Sequence, residues 1–430
     1  MTKRPVKRVA VIGSGIAGLA AAWTLSRICE VTLYEAQGRL GGHSDTFDWE
    51  GLGVDCGFIV YNERTYPNLT AMFRHLGVAT TSSEMSFAVS LDEGEFEYSG
   101  SGLRGLAAQP ENLLKRRYWS MLADILRFFR QAPRDLARGD LGTLREYLDA
   151  RGYNRAFRDD YLYPMAAAIW SMPALEVADF PAANFIRFNA NHGLLDLTNR
   201  PAWRTVAGGS RTYVNALAAG LADIRLSAPA RAVRRGAAGV EVVQADGSAQ
   251  VFDEVVIGAH ADDALALLDA PTDAEQRALG AFRYLDNHAV LHTDVAAMPK
   301  RRAAWSSWNY LSRGEGAARR LFVSYWMNRL QPLPGREDVF LSLNCPWEIP
   351  GDKTLRRVTY RHPQFDTAAC AAQRELWALQ GVGGVWFCGA YFGYGFHEDG
   401  LQAGLAVAEA IGGEKRPWRV KGESDRLTLT

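Results

Sequence analysis

The chain is short of several things, and each shortage removes a class of function. Its 430 residues hold five cysteines (Cys29, Cys56, Cys345, Cys370 and Cys388), scattered and without a Cys-x-x-Cys pair. Neither a zinc framework nor a disulfide scaffold is encoded, and the usage fits a reducing cytoplasm. Histidine is sparse, at eight. His288 and His292 stand four apart, but the Ala289-Val290-Leu291 between them reads as strand rather than helix, so no metal site is expected. No charge prevails: 48 basic side chains face 48 acidic ones. Nothing therefore draws the whole chain to nucleic acid or an anionic membrane, and no nucleic-acid partner is expected. No run reaches the ~18 uninterrupted apolar residues of a membrane span. At 48% hydrophobic and 22% charged, the composition is that of a soluble globular protein long enough for two or three domains.

What is present is concentrated between Arg8 and Gly42. Apolar and β-branched residues (Val9, Val11, Ile12) end at Gly13-Ser14-Gly15-Ile16-Ala17-Gly18. An alanine- and leucine-rich segment follows, then Val31-Thr32-Leu33-Tyr34 and Glu35. Strand, glycine turn, helix and acid-ended second strand come in the order of a dinucleotide-binding βαβ unit. Gly13 permits the tight turn, Gly15 lets backbone approach a pyrophosphate, and Gly18 lets the helix pack closely on the strand. Free N–H groups at the helix start, with the helix dipole, face the phosphates. Glu35, 17 residues after Gly18, stands where a carboxylate accepts ribose hydroxyls, which selects FAD or NAD over NADP. A secretory leader is the competing reading, because Lys3, Arg4, Lys7 and Arg8 precede the apolar run from Val9 to Leu25. The glycines at turn positions and the acid-ended second strand favour the cofactor.

A second glycine-rich loop, Gly38-Arg39-Leu40-Gly41-Gly42-His43, follows directly, then Asp55-Cys56-Gly57-Phe58. Near the other end stand Val385-Trp386-Phe387-Cys388-Gly389-Ala390 and His397-Glu398-Asp399-Gly400-Leu401-Gln402-Ala403-Gly404. On these motifs the chain resembles the flavin-dependent amine oxidase superfamily, which includes protoporphyrinogen oxidase, phytoene desaturases and a fatty-acid double-bond isomerase. Arg39-Leu40-Gly41-Gly42 matches that family's Arg-x-Gly-Gly loop, and Asp55-Cys56-Gly57 its Asp-x-Gly element under the isoalloxazine. The resemblance implies FAD, held at Gly13, Gly15, Ile16, Ala17, Gly18, Glu35, Ala36, Arg39, Leu40, Gly41, Gly42, His43, Gly57, Phe58, Val233, Gly389, Ala390, Gly400, Leu401 and Ala403. It puts Glu35 on the adenosine ribose, Arg39 on the diphosphate and the Val233 backbone on the adenine. It also implies a helix from about Asp399-Gly400 whose N-terminus faces the flavin O2 and N1 region. Ala390 departs from the pattern, since the family has Asp there, so backbone N–H or another group must make that contact. No cysteine occupies the loop where some relatives attach flavin, so FAD is expected to be non-covalent.

Between these ends, residues 64–80 read as a helix stopped by Gly77. Leu113, Leu114, Tyr118, Met121, Leu122, Ile125, Leu126 and Phe129 recur at three- and four-residue steps, predicting an amphipathic helix. The aromatic and methionine-rich stretch from Tyr161 to Phe188 reads as a helical lid over a substrate cavity or, equally, as plain helical core. Runs at 289–292, 304–310, 321–326 and 339–341 predict a mostly antiparallel sheet with one polar face and one face lining a pocket.

The expected architecture is α/β. A Rossmann-type FAD-binding domain is built from residues 1–80, 203–280 and 381–415. A mixed α+β substrate domain, antiparallel sheet plus helical lid, takes residues 81–202 and 281–380, and residues 416–430 form a C-terminal tail. The expected function is an FAD-dependent oxidoreductase of a hydrophobic substrate, by desaturation, oxidation or double-bond isomerisation of a lipid acyl or isoprenoid chain. An amine oxidase releasing an imine with oxygen as acceptor is the alternative, and a non-catalytic FAD-binding assembly partner the second. Tyr394, His397 and Glu398 are the candidates for proton handling, with helix capping the rival role for Glu398, and Trp170 and Phe396 for the substrate pocket. Lys300, in a basic cluster, reads as a solvated turn rather than an amine-oxidase lysine. A cytoplasmic location is expected, with transient peripheral membrane contact left open.

Overall fold

The computed structural model describes residues 6–139, 141–170, 177–196, 200–313, 320–334, 337–412 and 414–429. Strand β1 (Arg8–Ile12) runs into the glycine turn, helix α1 (Ile16–Leu25) and strand β2 (Glu30–Tyr34). Nine of the ten residues of α1 are buried, as its alanines and Gly18 allow. β1 is the middle of a five-stranded sheet, in the order 223–225, β2, β1, 254–257, 385–387, with every pair parallel. Such a sheet is covered on both faces and needs unbroken apolar strands; Val9, Val11, Leu33, Val255, Ile257, Val385 and Phe387 are all buried. The Rossmann-type α/β expectation holds.

A second sheet has seven strands, ordered 354–364, 283–292, 340–343, 320–326, 308–313, 87–91, 96–99. All its pairs are antiparallel except 308–313 beside 87–91. Several of its polar side chains are buried rather than solvated. His292, Asn309, Ser324 and Ser342 are buried and satisfy one another or nearby backbone, with His292 Nε2 2.8 Å from Ser342 Oγ and Asn309 Nδ2 donating to the Ser324 carbonyl at 3.0 Å. Buried polar groups need such partners to avoid a desolvation cost.

Helix α2 (Pro67–Leu76) begins on proline and ends at Gly77, whose φ of +68° is the left-handed cap glycine favours. Helix α3 (Arg116–Leu136) presents Tyr118, Met121, Phe128 and Ala132 to the core. Burying a side chain such as Phe128 contributes about 1.5–3 kcal/mol. Leu113 and Leu114 do not share that face. They lie in a 3-10 turn (Pro110–Leu114), and extended Lys115 (φ −90°, ψ 122°) breaks the phase before the helix starts. Leu126 is exposed as well. Helix α4 (His397–Gly412) starts two residues earlier than expected.

Residues 416–426 are no loose tail. Arg416 is buried against Glu409 (2.7 Å) and the Asn68 side chain (2.9 Å). Trp418 stacks on Trp23 of α1 with ring centroids 5.9 Å apart. Arg426 pairs with Asp399 at 2.8 Å and donates to the Thr65 carbonyl. The segment straps α4 to α1 and α2.

Candidate functional site

The glycine turn is dictated by contacts. Gly13 has φ +96°, which side chains rarely adopt, and a Cβ on Gly18 would fall 1.9 Å from the Gly13 carbonyl oxygen. A Cβ on Gly15 would meet nothing within 4 Å, so open space lies directly before the start of α1. The Arg39-Leu40-Gly41-Gly42 loop folds over this space. Gly41 N–H donates to the Ser14 carbonyl at 3.0 Å, and a Cβ on Gly42 would lie 3.1 Å from the Gly15 Cα. Leu40 is half-buried in the loop. Glu35 is buried at the end of β2, its Oε2 accepting from Ser14 N–H (3.0 Å) and its Oε1 from Gln37 N–H (2.7 Å), while Ala36 beside it is exposed.

Helices α1 and α4 cross tightly behind the turn. A Cβ on Gly404 would fall 2.1 Å from the Ala17 carbonyl oxygen, and one on Gly400 3.1 Å from the Ile16 side chain. Ile16, Ala17, Leu401 and Ala403 are buried in this crossing, which brings the two helix N-termini to one place. Positive ends of two helix dipoles there suit an anionic ligand. Gly389 is held by its neighbour, since a Cβ would lie 2.4 Å from the Tyr391 ring, and Ala390 opens the short turn after it. Val233 lies on the strand Ala230–Gly236, and its carbonyl accepts from Asp269 N–H at 3.1 Å.

Two carboxylates anchor the loops that follow. Asp45 is buried between Arg39 (3.0 Å) and a bidentate Arg356 (2.8 and 2.8 Å), and accepts from Tyr360 Oη at 2.8 Å. Asp55 accepts from Thr46, Ser210 and Gln331, and its burial pushes its carboxyl up to about 6. These bonds fix Gly57, whose Cβ would lie 2.1 Å from the His43 carbonyl oxygen. Sequence reasoning missed Asp45, Arg356 and Tyr360. The pairing spans 311 residues, and the only local signal is a charge on a strand end.

Neutral imidazoles line what remains. His397 at the start of α4 stacks on Phe58 with centroids 3.8 Å apart, its Nε2 2.7 Å from Tyr213 Oη and 3.0 Å from Ser44 Oγ. Desolvation lowers its pKa to about 3, and burial drives the Tyr213 hydroxyl upward, so Tyr213 stays a donor. The ring is therefore neutral, with Nε2 held by two hydroxyls. His43 stacks with His362 (5.4 Å) and His260 (5.7 Å), and desolvation holds these three at about 3, 3 and 4.

The other candidates separate. Glu398 is not placed for proton handling: its carboxylate is fully buried and accepts from Asn68 N–H (3.0 Å), Asn68 Nδ2 (2.8 Å) and Leu69 N–H (3.0 Å), capping α2. Tyr394 lies under Arg426 and edge-on to Phe188. Phe396 stacks on Phe188 at 4.8 Å, with His192 beside it at 5.7 Å, so an apolar wall adjoins His397. His192, which sequence reasoning did not single out, is buried with no partner for its Nε2 among the described residues. Trp170 ends the helix Tyr163–Trp170, but its side chain lies outside the described residues.

These residues fit FAD. The Gly15 cradle is open, two helix N-termini point at it, and Glu35 keeps a buried carboxylate just past the end of β2. His43, Gly57, Phe58 and His397 keep accessible surface although the imidazoles are strongly desolvated, as the lining of an internal cavity does.

The sequence profile of flavin-containing amine oxidoreductases matches residues 16–332. AofH of Mycobacterium tuberculosis, by its name a flavin-containing monoamine oxidase, is 28% identical over 288 residues, covering 63% of this chain and 61% of its own. The matched stretch thus spans about three-fifths of that relative's length. Protoporphyrinogen oxidase 2 of Arabidopsis thaliana is 42% identical over 73 residues, covering 17% of this chain and 14% of its own. Among solved structures, the fatty acid isomerase of P. acnes superposes with a TM-score of 0.63 at 16% identity, covering 94% of this chain and 98% of that one. Putrescine oxidase bound to putrescine superposes with a TM-score of 0.65 at 16% identity, covering 95% and 99%. At that identity these two speak for the fold alone.

Proposed function

The chain belongs to the flavin-containing amine oxidoreductase family, and from that premise we propose that it is an FAD-dependent oxidoreductase of a hydrophobic substrate, working at a carbon–carbon bond of a lipid acyl or isoprenoid chain. One observation carries the substrate class. Among the described residues around the cavity, every buried carboxylate is already engaged: Asp45 by two arginines, Asp55 by hydroxyls and an amide, Glu398 by α2, Asp399 by Arg426. No free anion is left to receive an ammonium group, and the wall beside His397 is Phe396 on Phe188. An apolar chain loses nothing in such a setting, whereas a cationic amine would surrender its hydration uncompensated.

Bound FAD would supply the hydride acceptor. Glu35 would hold the ribose, the α1 N-terminus and Arg39 the diphosphate, and Gly57, Phe58 and the α4 N-terminus the ring. The chain's own contribution to chemistry centres on His397. Phe58 fixes the imidazole plane, and Tyr213 and Ser44 hold Nε2. An imidazole so held can take up or return one proton at a ring nitrogen, becoming a transient imidazolium whose charge its burial opposes. The names of AofH and putrescine oxidase supply the second reading, oxidation of an amine.

Anaerobic mixing of the yellow holoenzyme with acyl lipids, isoprenoids and amines separates the two. Bleaching of the flavin by an acyl or isoprenoid lipid is expected; bleaching by amines alone overturns the proposal. His397→Phe is expected to slow that bleaching by roughly 10²–10⁴-fold while flavin stays bound.

A further inference from the structure

We propose that the surface formed by residues 103–126 docks on an anionic phospholipid bilayer. Five large apolar side chains in that short stretch face solvent: Leu103 (85% exposed), Leu114 (88%), Trp119 (55%), Leu113 (39%) and Leu126 (39%). Only seven other large apolar side chains among the described residues are comparably exposed, and they are spread over the rest of the molecule. The five are held in place by structure. Trp119 Nε1 donates to the Leu113 carbonyl at 2.8 Å, fixing the Leu113-Leu114 turn against the first turn of α3. Tyr118 Oη donates to the Leu106 carbonyl at 2.8 Å, tying α3 to the helix Gly102–Leu106 that carries Leu103.

Charge decides the occupant. The chain as a whole is neutral, but residues 101–138 hold eight basic and three acidic side chains. Two of those acids, Asp124 and Asp135, are buried on the inner face, where Arg127 and Arg151 pair with them. Outward, Glu111 faces Arg104, Lys115 and Arg116 among the exposed leucines, and neither Arg104 nor Arg116 makes an ion pair among the described residues. Next to Leu103, Arg104 joins Arg302 and Arg329 along a cleft of about 540 Å³ that Glu84, Trp305 and Trp326 also line. Arg302 and Arg329 are ion-paired, to Asp338 and Glu84, which leaves Arg104, Lys115 and Arg116 as the cations beside the protruding leucines and tryptophan. That is the pattern of a surface that lies in a lipid interface: the apolar tips enter the acyl boundary and the cations meet phosphate. A protein partner would have to bring acidic side chains to Arg104, Lys115 and Arg116, whereas an anionic bilayer meets them with phosphate anywhere on its surface.

The surface stands on its own evidence and not on the substrate assigned above, and its test involves no turnover. FAD-loaded full-length protein is floated with vesicles of phosphatidylglycerol and phosphatidylcholine, and with phosphatidylcholine alone. Binding to the anionic vesicles is expected, weakened at least about tenfold on neutral vesicles or in high salt. Leu103→Glu with Leu114→Glu, and separately Arg104→Glu with Arg116→Glu, should each reduce binding by at least about tenfold with flavin content unchanged. If the leucine pair loses flavin, the arginine pair decides. Failure of the unaltered protein to float overturns the proposal, as does binding undiminished in both double variants. A dimer that only the leucine substitutions dissolve, with no vesicle binding, assigns the patch to a second copy of the chain and overturns it equally.

Discussion

Gly15 and Gly18 stand three residues apart and should answer differently to the same substitution. An alanine at Gly18 drives a methyl to 1.9 Å from the Gly13 carbonyl oxygen, so α1 must move off β1 and both flavin binding and thermal stability should fall. An alanine at Gly15 meets no protein atom within 4 Å, so the apo protein should melt within about 1 kcal/mol of the parent, while flavin content drops at least about tenfold because the methyl fills the diphosphate's place. Flavin absorbance per chain and apo melting temperature measure the two effects. Arg426→Ala tests a different residue-scale claim. It leaves the fully buried Asp399 carboxylate without its cation and should destabilise by about 3–5 kcal/mol in denaturant titration. Glycines and Glu35 were legible from the sequence because their constraint is local, a turn and a strand end. Asp45 was not, because what makes it matter is Arg356 arriving from a distant strand.

Glu398 shows how an element can claim a residue that chemistry also wants. Its carboxylate takes three donors from the first turn of α2: the Asn68 and Leu69 backbone N–H groups, which a helix start leaves unsatisfied, and the Asn68 side-chain amide. Glu398→Ala should therefore cost about 2–3 kcal/mol of stability, and the remaining folded holoenzyme should still be reduced at a rate within about threefold of the parent. A loss of turnover at unchanged stability would return the residue to catalysis. The elements themselves were readable where the apolar period was long: β1, α2 and the strands at 283–292, 320–326 and 340–343 overlap the stretches that periodicity marks, while the run at 304–310 is strand only from Trp308, after a 3-10 turn at Arg302–Ala304. The start of α3 was misread for a physical reason. Leu113 and Leu114 satisfy the helical spacing, but Lys115 is extended, and a single non-helical residue resets the phase of everything before it.

At the scale of the whole molecule, the neutral histidines set how the protein responds to acid. Desolvation lowers His43, His192, His362 and His397 to about 3, and His260 and His292 to about 4, against about 6.5 when unfolded. Below pH 6.5 the unfolded chain binds protons that the folded one refuses, so stability is whole above that value and is lost as pH falls towards 4. Each histidine adds up to about 1.4 kcal/mol per pH unit in that window. Asp55, raised to about 6, and the buried Glu398 and Asp399 carboxyls, also raised by desolvation, oppose them as three groups against six. Melting temperature should accordingly fall steeply between pH 6.5 and 4.5, and flat behaviour there would show that these imidazoles are solvated. The discontinuous α/β architecture was legible at this scale because three separated motifs each carried part of one cofactor site. The polar interior of the large sheet was not, since a buried serine and a solvated one look alike until the opposite layer is known.

The strap that ends at Arg426 has a consequence for how the protein is made. β1 is synthesised long before its sheet neighbour 254–257, strand 385–387 follows beyond it, and Arg426 must arrive to neutralise Asp399 at the head of α4. At roughly 5–20 residues per second, translation leaves the opening apolar strand waiting for about 20–80 seconds before the last of these pieces leaves the ribosome. Flavin capture thus waits on the synthesis of residues 385–426, and until then the dinucleotide-binding strand lacks part of its sheet and its strap.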